Sequence, residues 1–188
     1  MLRLSWIEHS LIWVDLKIRV IEMCGIAGWL RPGGYKDKEA CAGELQAMVN
    51  AILHRGPDAG GKWFGGPVAF GHRRLSIVDP TPVSDQPMVD PQSGNVILFN
   101  GEIYNFVELR DELKALGVHF STKGDTEVIL KAYQVWGLDE CLKRLCGMFA
   151  FALWDQSLQM LFICRDRLGK KPLFYCDLPQ ASGGGVVF

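Results

Sequence analysis

Short apolar runs divide the chain and predict buried β-strands. The runs occupy residues 24–30, 62–64, 68–78, 95–100, 147–154, 158–164 and 172–176. Gly65-Gly66-Pro67 forms a turn between the second and third runs, and Asp155-Gln156-Ser157 is a tight connection that favours antiparallel pairing of its neighbours. Residues 80–91 contain four prolines and no periodicity, which predicts a loop.

Other segments have the 3.6-residue period of an amphipathic helix, with apolar residues spaced by three and four positions. These segments are residues 37–54, 106–116 and 125–136, with a shorter helical piece at 138–145. Gly117 is the expected C′ residue of the second helix, and Asp125 is the expected N-cap of the third. Because helices and strands mix without regular βαβ alternation, the pattern predicts an α+β fold with largely antiparallel sheets.

Composition narrows the classes of function. The 188 residues include 20 Lys+Arg and 21 Asp+Glu, so the net charge of −1 gives no general attraction to nucleic acid or anionic membranes. Hydrophobic residues at 48% and charged residues at 22% exclude a disordered or fibrous chain. The six cysteines include no C-x-x-C pair and no His at zinc-ligand spacing, which indicates reduced thiols in a cytoplasmic protein without a metal site.

Residues 1–22 differ from the rest of the chain. From Ser10 to Glu22 apolar and polar residues alternate, as in a strand with one apolar face. Charged residues interrupt this segment before ~18 apolar residues accumulate, which excludes a transmembrane helix. No small-residue cleavage site follows, which argues against a signal peptide. Two interpretations stay open: an extra strand on the domain, or a leader that is absent from the working protein.

Met23 directly precedes Cys24, and this pair has a chemical consequence. If Met23 is the true start, its removal leaves Cys24 with a free α-amino group, whose reference pKa is about 7.7–8.0. Such an amine is partly neutral near pH 7 and can act as general base for the adjacent thiol. Since an amide has no such basicity, this chemistry requires residues 1–22 to be absent. Otherwise Cys24 is a small buried apolar residue.

Several separated motifs give the chain a family resemblance. The sequence MCGIAG at 23–28 resembles the opening of class II glutamine amidotransferases, the N-terminal-nucleophile glutaminases. Further matches are HRGPD (54–58), RLSIVD (74–79), NGEIYN (100–105), GDTE (124–127), GMFAFALWD (147–155) and RDRLGKKPLFY (165–175). Together they are similar to the glutaminase domain of glutamine-hydrolysing asparagine synthetases. The resemblance covers residues 23–188 and implies a four-layer αββα sandwich of two mainly antiparallel sheets.

The same resemblance implies catalytic roles. Cys24 would attack the side-chain amide of glutamine, form a thioester and release ammonia, and water would then release glutamate. The side-chain amide of Asn100 and the backbone N–H of Gly101 would form the oxyanion hole. The HRGPD and RDRLGKKPLFY motifs match the family without an evident chemical step, and we interpret them as structural.

Substrate-binding roles follow from the resemblance as well. Arg74 would bind the α-carboxylate of glutamine, a pairing that suits its bidentate guanidinium. Glu102 and Asp125 would bind the α-ammonium. The pocket would be lined by backbone groups of Leu75, Ser76, Ile77 and Val78. One cation and two anions around a zwitterionic amino acid are complementary in charge.

The resemblance also sets expectations about cofactors and partners. No cofactor is expected for the glutaminase domain, because ATP and Mg would serve an ATP-dependent synthetase domain that makes asparagine from aspartate. That domain's serine- and glycine-rich pyrophosphate loop does not occur in this sequence. The apolar residues 186–188 look like a strand cut short, so the domain is expected to be C-terminally truncated.

Expected partners are therefore L-glutamine and a synthetase domain of the same full-length chain, with a homodimer as a further candidate assembly. No nucleic-acid or membrane partner is expected. Two alternatives stay open. One is an asparagine-synthetase-like amidotransferase with a different acceptor. The other is a catalytically silent binding fragment that retains residues 1–22.

Overall fold

The computed structural model describes residues 23–34, 37–75, 81–180 and 183–188. The predicted segment at residues 1–22 lies outside these residues. The described strands are β1 (Gly25–Leu30), β2 (Ala59–Gly65), β3 (Val68–Arg74), β4 (Met88–Val89), β5 (Val96–Ile103), β6 (Gly147–Asp155), β7 (Met160–Arg165), β8 (Cys176–Asp177) and β9 (Val186–Val187). The described helices are α1 (Lys38–Ala51), α2 (Phe106–Ala115) and α3 (Asp125–Arg144), with 3₁₀ turns at Leu53–Arg55 and Pro82–Ser84.

The described strands form two antiparallel sheets. Sheet I has the order β2-β3-β1-β9-β8, and sheet II has the order β4-β5-β6-β7. In sheet I, β1 pairs with β3 from Gly25 opposite Arg73 to Leu30 opposite Val68. In sheet II, β5 pairs with β6 along its full length, which places Asn100 opposite Ala150.

Side-chain alternation along the central strands builds four layers. Successive residues of a strand point to opposite faces of its sheet. The layer between the sheets contains Val68, Phe70, Val96, Leu98, Ala152 and Trp154. The opposite face of sheet II packs on α2 and α3 through Ile97, Phe99, Leu113, Ile129, Phe151 and Leu153. The outer face of sheet I packs on α1 through Trp29, Leu45, Val49 and Ala69. The predicted αββα arrangement is therefore confirmed, and burial of both faces explains the continuous apolar runs.

Glycines end or interrupt the helices where the sequence predicts. Gly117 follows α2 with φ of 87° and is its C′ residue. Gly137 has φ of 74° and breaks α3, so the two predicted helical pieces are both present. A left-handed backbone is accessible to glycine without steric cost.

Three predictions about local structure are wrong. The N-cap of α3 is Gly124, and Asp125 is the first helical residue. The predicted loop at 80–91 contains β4, whose two residues form a strand through pairing with Ile97 and Val96 of β5. The predicted strand at 172–176 is reduced to Cys176–Asp177, which pairs with β9. Among the described residues, no helix has both the length and the apolar character needed to span a bilayer.

Candidate active site

Cys24 directly precedes β1 and lies beside the end of β3. Among the described residues the thiol is hydrogen-bonded to Leu75, whose N–H donates to Sγ over 3.3 Å and whose carbonyl accepts from Sγ over 3.6 Å. Both partners are backbone groups. Within the described part of the chain, no histidine or carboxylate is hydrogen-bonded to the thiol.

The surroundings of Cys24 keep its thiol protonated. Burial raises the pKa of the Cys24 thiol, while the Leu75 N–H and the cations of Arg74 and Lys171 act in the opposite direction without reversing the shift. A protonated thiol is a poor nucleophile. Nucleophilic chemistry at Cys24 therefore requires a base that takes the thiol proton.

Arg74 ends β3 with its guanidinium buried next to Cys24. The side chain is 8% exposed, and its Nη1 donates to the Thr81 carbonyl over 3.0 Å and to Asp85 Oδ1 over 2.6 Å. These two contacts hold Nη1 of the guanidinium in place. The structure thus places the predicted carboxylate-binding cation beside the predicted nucleophile.

Asn100 approaches the same place from sheet II. Together with Gly25 and Ile26 it lines a cavity of 470 Å³. The Asn100 side chain is buried, and no hydrogen bond of its amide is found among the described residues. Its Nδ2 donor is therefore available to a molecule in the cavity.

Gly101 follows Asn100 where β5 and β6 approach closely. A Cβ atom at this position would lie 2.4 Å from the Met148 carbonyl oxygen and 2.7 Å from Phe149 Cα. Both are backbone atoms that cannot move independently of the sheet. The close approach of the neighbouring strand therefore requires glycine at this position.

The backbone N–H of Gly101 points away from β6. In an antiparallel pair, alternate residues direct their N–H and C=O groups to opposite edges. The Ile103 N–H, two residues further along the same edge, donates to Asp125 Oδ2 over 3.0 Å. For the Gly101 N–H no acceptor is found within the described residues. Strand β5 thus presents a free donor next to the Asn100 amide.

Two carboxylates complete the predicted set. Asp125 is buried at the first turn of α3, and Glu102 is half-buried on β5. Burial raises the pKa of the Asp125 carboxyl, the Ile103 N–H opposes this shift, and the negative charge of Glu102 raises the pKa further. Such a pair favours an ammonium group that lies against it.

Lys171 was missed by the sequence reasoning, which interpreted its motif as structural. Its side chain is 6% exposed, and Nζ donates to Met23 Sδ over 2.8 Å. Burial lowers the pKa of Lys171, and the negative charges of Glu102 and Asp166 oppose this shift. The motif therefore brings a buried cation to the candidate nucleophile.

A tightly bonded loop holds Lys171 in place. The Asp166 carboxylate accepts from four backbone N–H groups, those of Phe149, Leu168, Lys170 and Lys171. Arg165 donates to the Lys171 and Gly169 carbonyls over 2.7 Å each. In the other unassigned motif, Arg55 Nε donates to the Cys24 carbonyl over 3.4 Å. Both motifs therefore hold residues of the candidate site in position. The sequence signal for this role is the group of charged residues in each motif.

The remaining predicted site residues, Ser76, Ile77 and Val78, lie outside the described residues. The structure brings the others close together. Leu75 is hydrogen-bonded to the Cys24 thiol, the charges of Arg74 and Asp125 act on the pKa of that thiol, and Asn100, Gly101 and Glu102 follow one another on β5. Within the described ranges, no group of three or more His, Cys, Asp and Glu could hold a metal ion.

Comparison with protein families gives a match over residues 23–188, to the family described as the glutamine amidotransferase domain. Asparagine synthetase [glutamine-hydrolyzing] 3 of Bacillus subtilis is 41% identical over 157 residues, which cover 81% of this chain and 25% of that protein. A putative asparagine synthetase [glutamine-hydrolyzing] of Mycobacterium tuberculosis is 43% identical over 178 residues, covering 88% of this chain and 26% of that protein. The chain thus spans about a quarter of the length of these relatives.

A solved structure supports the fold independently. Glutamine phosphoribosylpyrophosphate amidotransferase of B. subtilis superimposes with a TM-score of 0.66, covering 86% of this chain and 41% of that one. Sequence identity is only 19%, so this likeness concerns the fold alone.

Proposed function

Because this chain belongs to the glutamine amidotransferase domain family, we propose that it hydrolyses glutamine to glutamate and ammonia through a thioester on Cys24. One observation carries the assignment of the site. Two donors without a partner among the described residues, the Asn100 amide and the Gly101 N–H, are neighbours on β5, and Asn100 lines the cavity that the start of β1 also lines. Donors aimed at a developing oxyanion usually give the largest single stabilisation of the transition state in acyl transfer.

The proposed reaction proceeds in two halves. Sγ of Cys24 attacks the side-chain carbonyl carbon of glutamine, and the thiol proton passes to the base. The carbonyl oxygen becomes an oxyanion held by Asn100 Nδ2 and the Gly101 N–H. Collapse breaks the carbon–nitrogen bond, and the base returns its proton to the departing ammonia. Water then attacks the thioester in the same way, releasing glutamate and restoring the thiol.

The base in this proposal is the α-amine of Cys24. The hydrogen bonds found for Sγ go to backbone groups of Leu75, which are not basic. A free α-amine has a reference pKa of about 7.7–8.0 and lies on the same residue as the thiol. The active form therefore begins at Cys24, and a chain in which Met23 remains attached has an amide in place of the base.

The glutamine backbone is proposed to lie between opposite charges. Arg74 binds the α-carboxylate, while Glu102 and Asp125 bind the α-ammonium. The hydrogen bonds from Arg74 Nη1 to Thr81 and Asp85 restrain the guanidinium, which supports its role in binding a carboxylate. Leu75 and residues 76–78 are proposed to line the pocket with backbone groups.

We further propose that the released ammonia serves an ATP-dependent synthetase that converts aspartate to asparagine. The support is the identity of 41–43% to proteins named as glutamine-hydrolysing asparagine synthetases. In this proposal ATP and magnesium belong to the synthetase, and the glutaminase reaction needs neither. A working location in the cytoplasm is part of the same proposal.

The test compares two preparations, the full chain and a chain in which proteolysis of a fused tag leaves Cys24 as the first residue. Thermal unfolding of both checks that they fold. We expect ammonia release from glutamine in the second preparation alone. Cys24→Ala should abolish that activity, whereas Cys146→Ala, which removes an exposed thiol, should leave it unchanged. Equal activity of the two preparations would exclude the α-amine as base.

Substrate binding is tested separately. Arg74→Ala should raise KM for glutamine with a smaller effect on kcat, because it removes a contact made equally in the ground state and the transition state. The control is Arg31→Ala, which removes a more exposed guanidinium that pairs with Glu44. An unchanged KM in Arg74→Ala would remove Arg74 from the proposed site.

A further inference from the structure

The strand that carries the proposed oxyanion hole has an edge that β4 leaves uncovered. Strand β4 pairs with β5 only at Val96 and Ile97. Beyond that point no strand of the described residues lies beside the N–H and C=O groups of Phe99 on that side. An edge left unpaired in a buried position is costly unless other groups satisfy it.

Two side chains from different layers satisfy Phe99. Its N–H donates to Gln86 Oε1 over 2.6 Å, and its carbonyl accepts from His72 Nε2 over 3.3 Å. His72 is on β3 of sheet I and is fully buried, while Gln86 is 6% exposed. Gln86 also donates through Nε2 to Thr126 Oγ1 over 3.4 Å. The Phe99 backbone is thus tied to sheet I and to the first turn of α3.

The protonation state of His72 determines which atom donates in its hydrogen bond with the Phe99 carbonyl. Burial lowers the pKa of His72 to about 3, and the nearby cations of Arg74 and Arg73 lower it as well. The ring is therefore neutral near pH 7 and carries one N–H. Because the Phe99 carbonyl can only accept, the proton is on Nε2. Nδ1 is buried and has no partner among the described residues, so the imidazole makes this one bond.

The Phe99 carbonyl belongs to the peptide unit that also contains the Asn100 nitrogen. Since a peptide unit is planar, fixing that carbonyl fixes the orientation of the backbone from which Asn100 projects. On the far side of Gly101, the bond from Ile103 to Asp125 holds the same edge. The two free donors lie between these anchored positions.

From this arrangement we propose that His72 and Gln86 are positioning residues of the oxyanion hole, acting through the Phe99 backbone. The inference rests on the proposed function, since it assumes that Asn100 and Gly101 bind an oxyanion. A donor pair of this kind must be held within about 0.5 Å of its productive position. Loss of either anchor lets β5 shift at Asn100 while Cys24, on the other sheet, keeps its place.

The experiment uses the preparation that begins at Cys24. His72→Met and Gln86→Met each remove one anchor while nearly conserving volume, and His72→Gln restores an amide donor near the position of Nε2. The control is Tyr133→Phe, which deletes a buried hydrogen bond to Asp155 at the opposite end of β6. Glutaminase kcat and KM, the rate of Cys24 alkylation by iodoacetamide, and the melting temperature are measured for each.

The proposal expects kcat to fall at least 10-fold in both methionine variants, with KM within twofold and the alkylation rate unchanged. His72→Gln should recover most of kcat, and Tyr133→Phe should keep kcat despite a lower melting temperature. An unchanged kcat in a folded methionine variant would overturn the proposal, as would a parallel loss of kcat and alkylation. If His72→Met does not fold, the kcat values of Gln86→Met and His72→Gln test the proposal. Inactivity of the unsubstituted preparation would instead contradict the proposed function.

Discussion

The buried imidazole of His72 predicts a specific dependence of stability on pH. Its folded pKa of about 3 lies below the reference value of 6.5. The unfolded chain therefore binds a proton below pH 6.5 that the folded chain does not bind. The free energy of unfolding should therefore increase with pH between about pH 3 and about pH 6.5.

The size of the effect follows from linkage. At pH 5 the unfolded-state imidazole is almost fully protonated and the folded-state one is neutral. Each unit of pH between the two pKa values costs about 1.4 kcal/mol, so going from pH 7 to pH 5 should lower the free energy of unfolding by about 2 kcal/mol. Most carboxylates contribute little in this interval because their reference pKa values lie near 4. Asp125, whose pKa is raised by burial, contributes with the opposite sign, and comparison with a His72 variant separates the two groups.

Urea unfolding followed by tryptophan fluorescence at pH 7 and pH 5 measures this difference. The same experiment on His72→Gln removes the titrating group, and His119→Gln, which replaces an exposed histidine, is the matched control. We expect the pH-dependent loss to shrink by about 2 kcal/mol in His72→Gln and to persist in His119→Gln. An equal loss in all three proteins would refute the assignment of a neutral buried imidazole.

Two further predictions concern stability away from the site. Leu113→Ala, at a fully buried position of α2 in the core beneath sheet II, should cost about 2–5 kcal/mol in chemical denaturation, because it leaves a cavity. Leu116→Ala, on the exposed side after the same helix, should cost far less, and a similar loss in both would contradict the layer assignment. Lys131→Met should destabilise by about 3–5 kcal/mol at pH 7, because it leaves the buried Asp90 carboxylate without its cation. Because pairing with Lys131 helps to hold the pKa of Asp90 at about 2, this penalty should diminish below pH 4, and a penalty independent of pH would contradict it.

The layered fold could be predicted from the sequence because its main strands are apolar on both faces. The runs at 95–100 and 147–154 have no polar face, and the structure covers one side with sheet I and the other with helices. Strand β4 could not be predicted, since Met88 and Val89 gain their conformation from pairing with β5. Pairing partners far apart in sequence leave no local signal.

The residues of the candidate site could be predicted from the sequence, but their positions relative to one another could not. The sequence placed Asn100 and Gly101 at a strand end, but only pairing with β6 shows that the Gly101 N–H points to the open edge. Lys171 appears as a surface charge in a GKKP segment. It is buried because the Asp166 carboxylate accepts hydrogen bonds from the N–H groups of Lys170 and Lys171, which hold this segment against the protein.

The geometry around Cys24 implies that removal of Met23 is required for the proposed mechanism. Burial keeps the thiol protonated, and its observed partners are backbone groups of Leu75. In the proposed mechanism the fold supplies the oxyanion donors and the charged side chains that bind the substrate, while the base is formed only when the peptide bond between Met23 and Cys24 is cleaved. Because Lys171 Nζ lies against Met23 Sδ, the loss of Met23 would also leave this buried ammonium beside the new α-amine. A neighbouring positive charge lowers the pKa of an amine, which favours its neutral, proton-accepting form near pH 7.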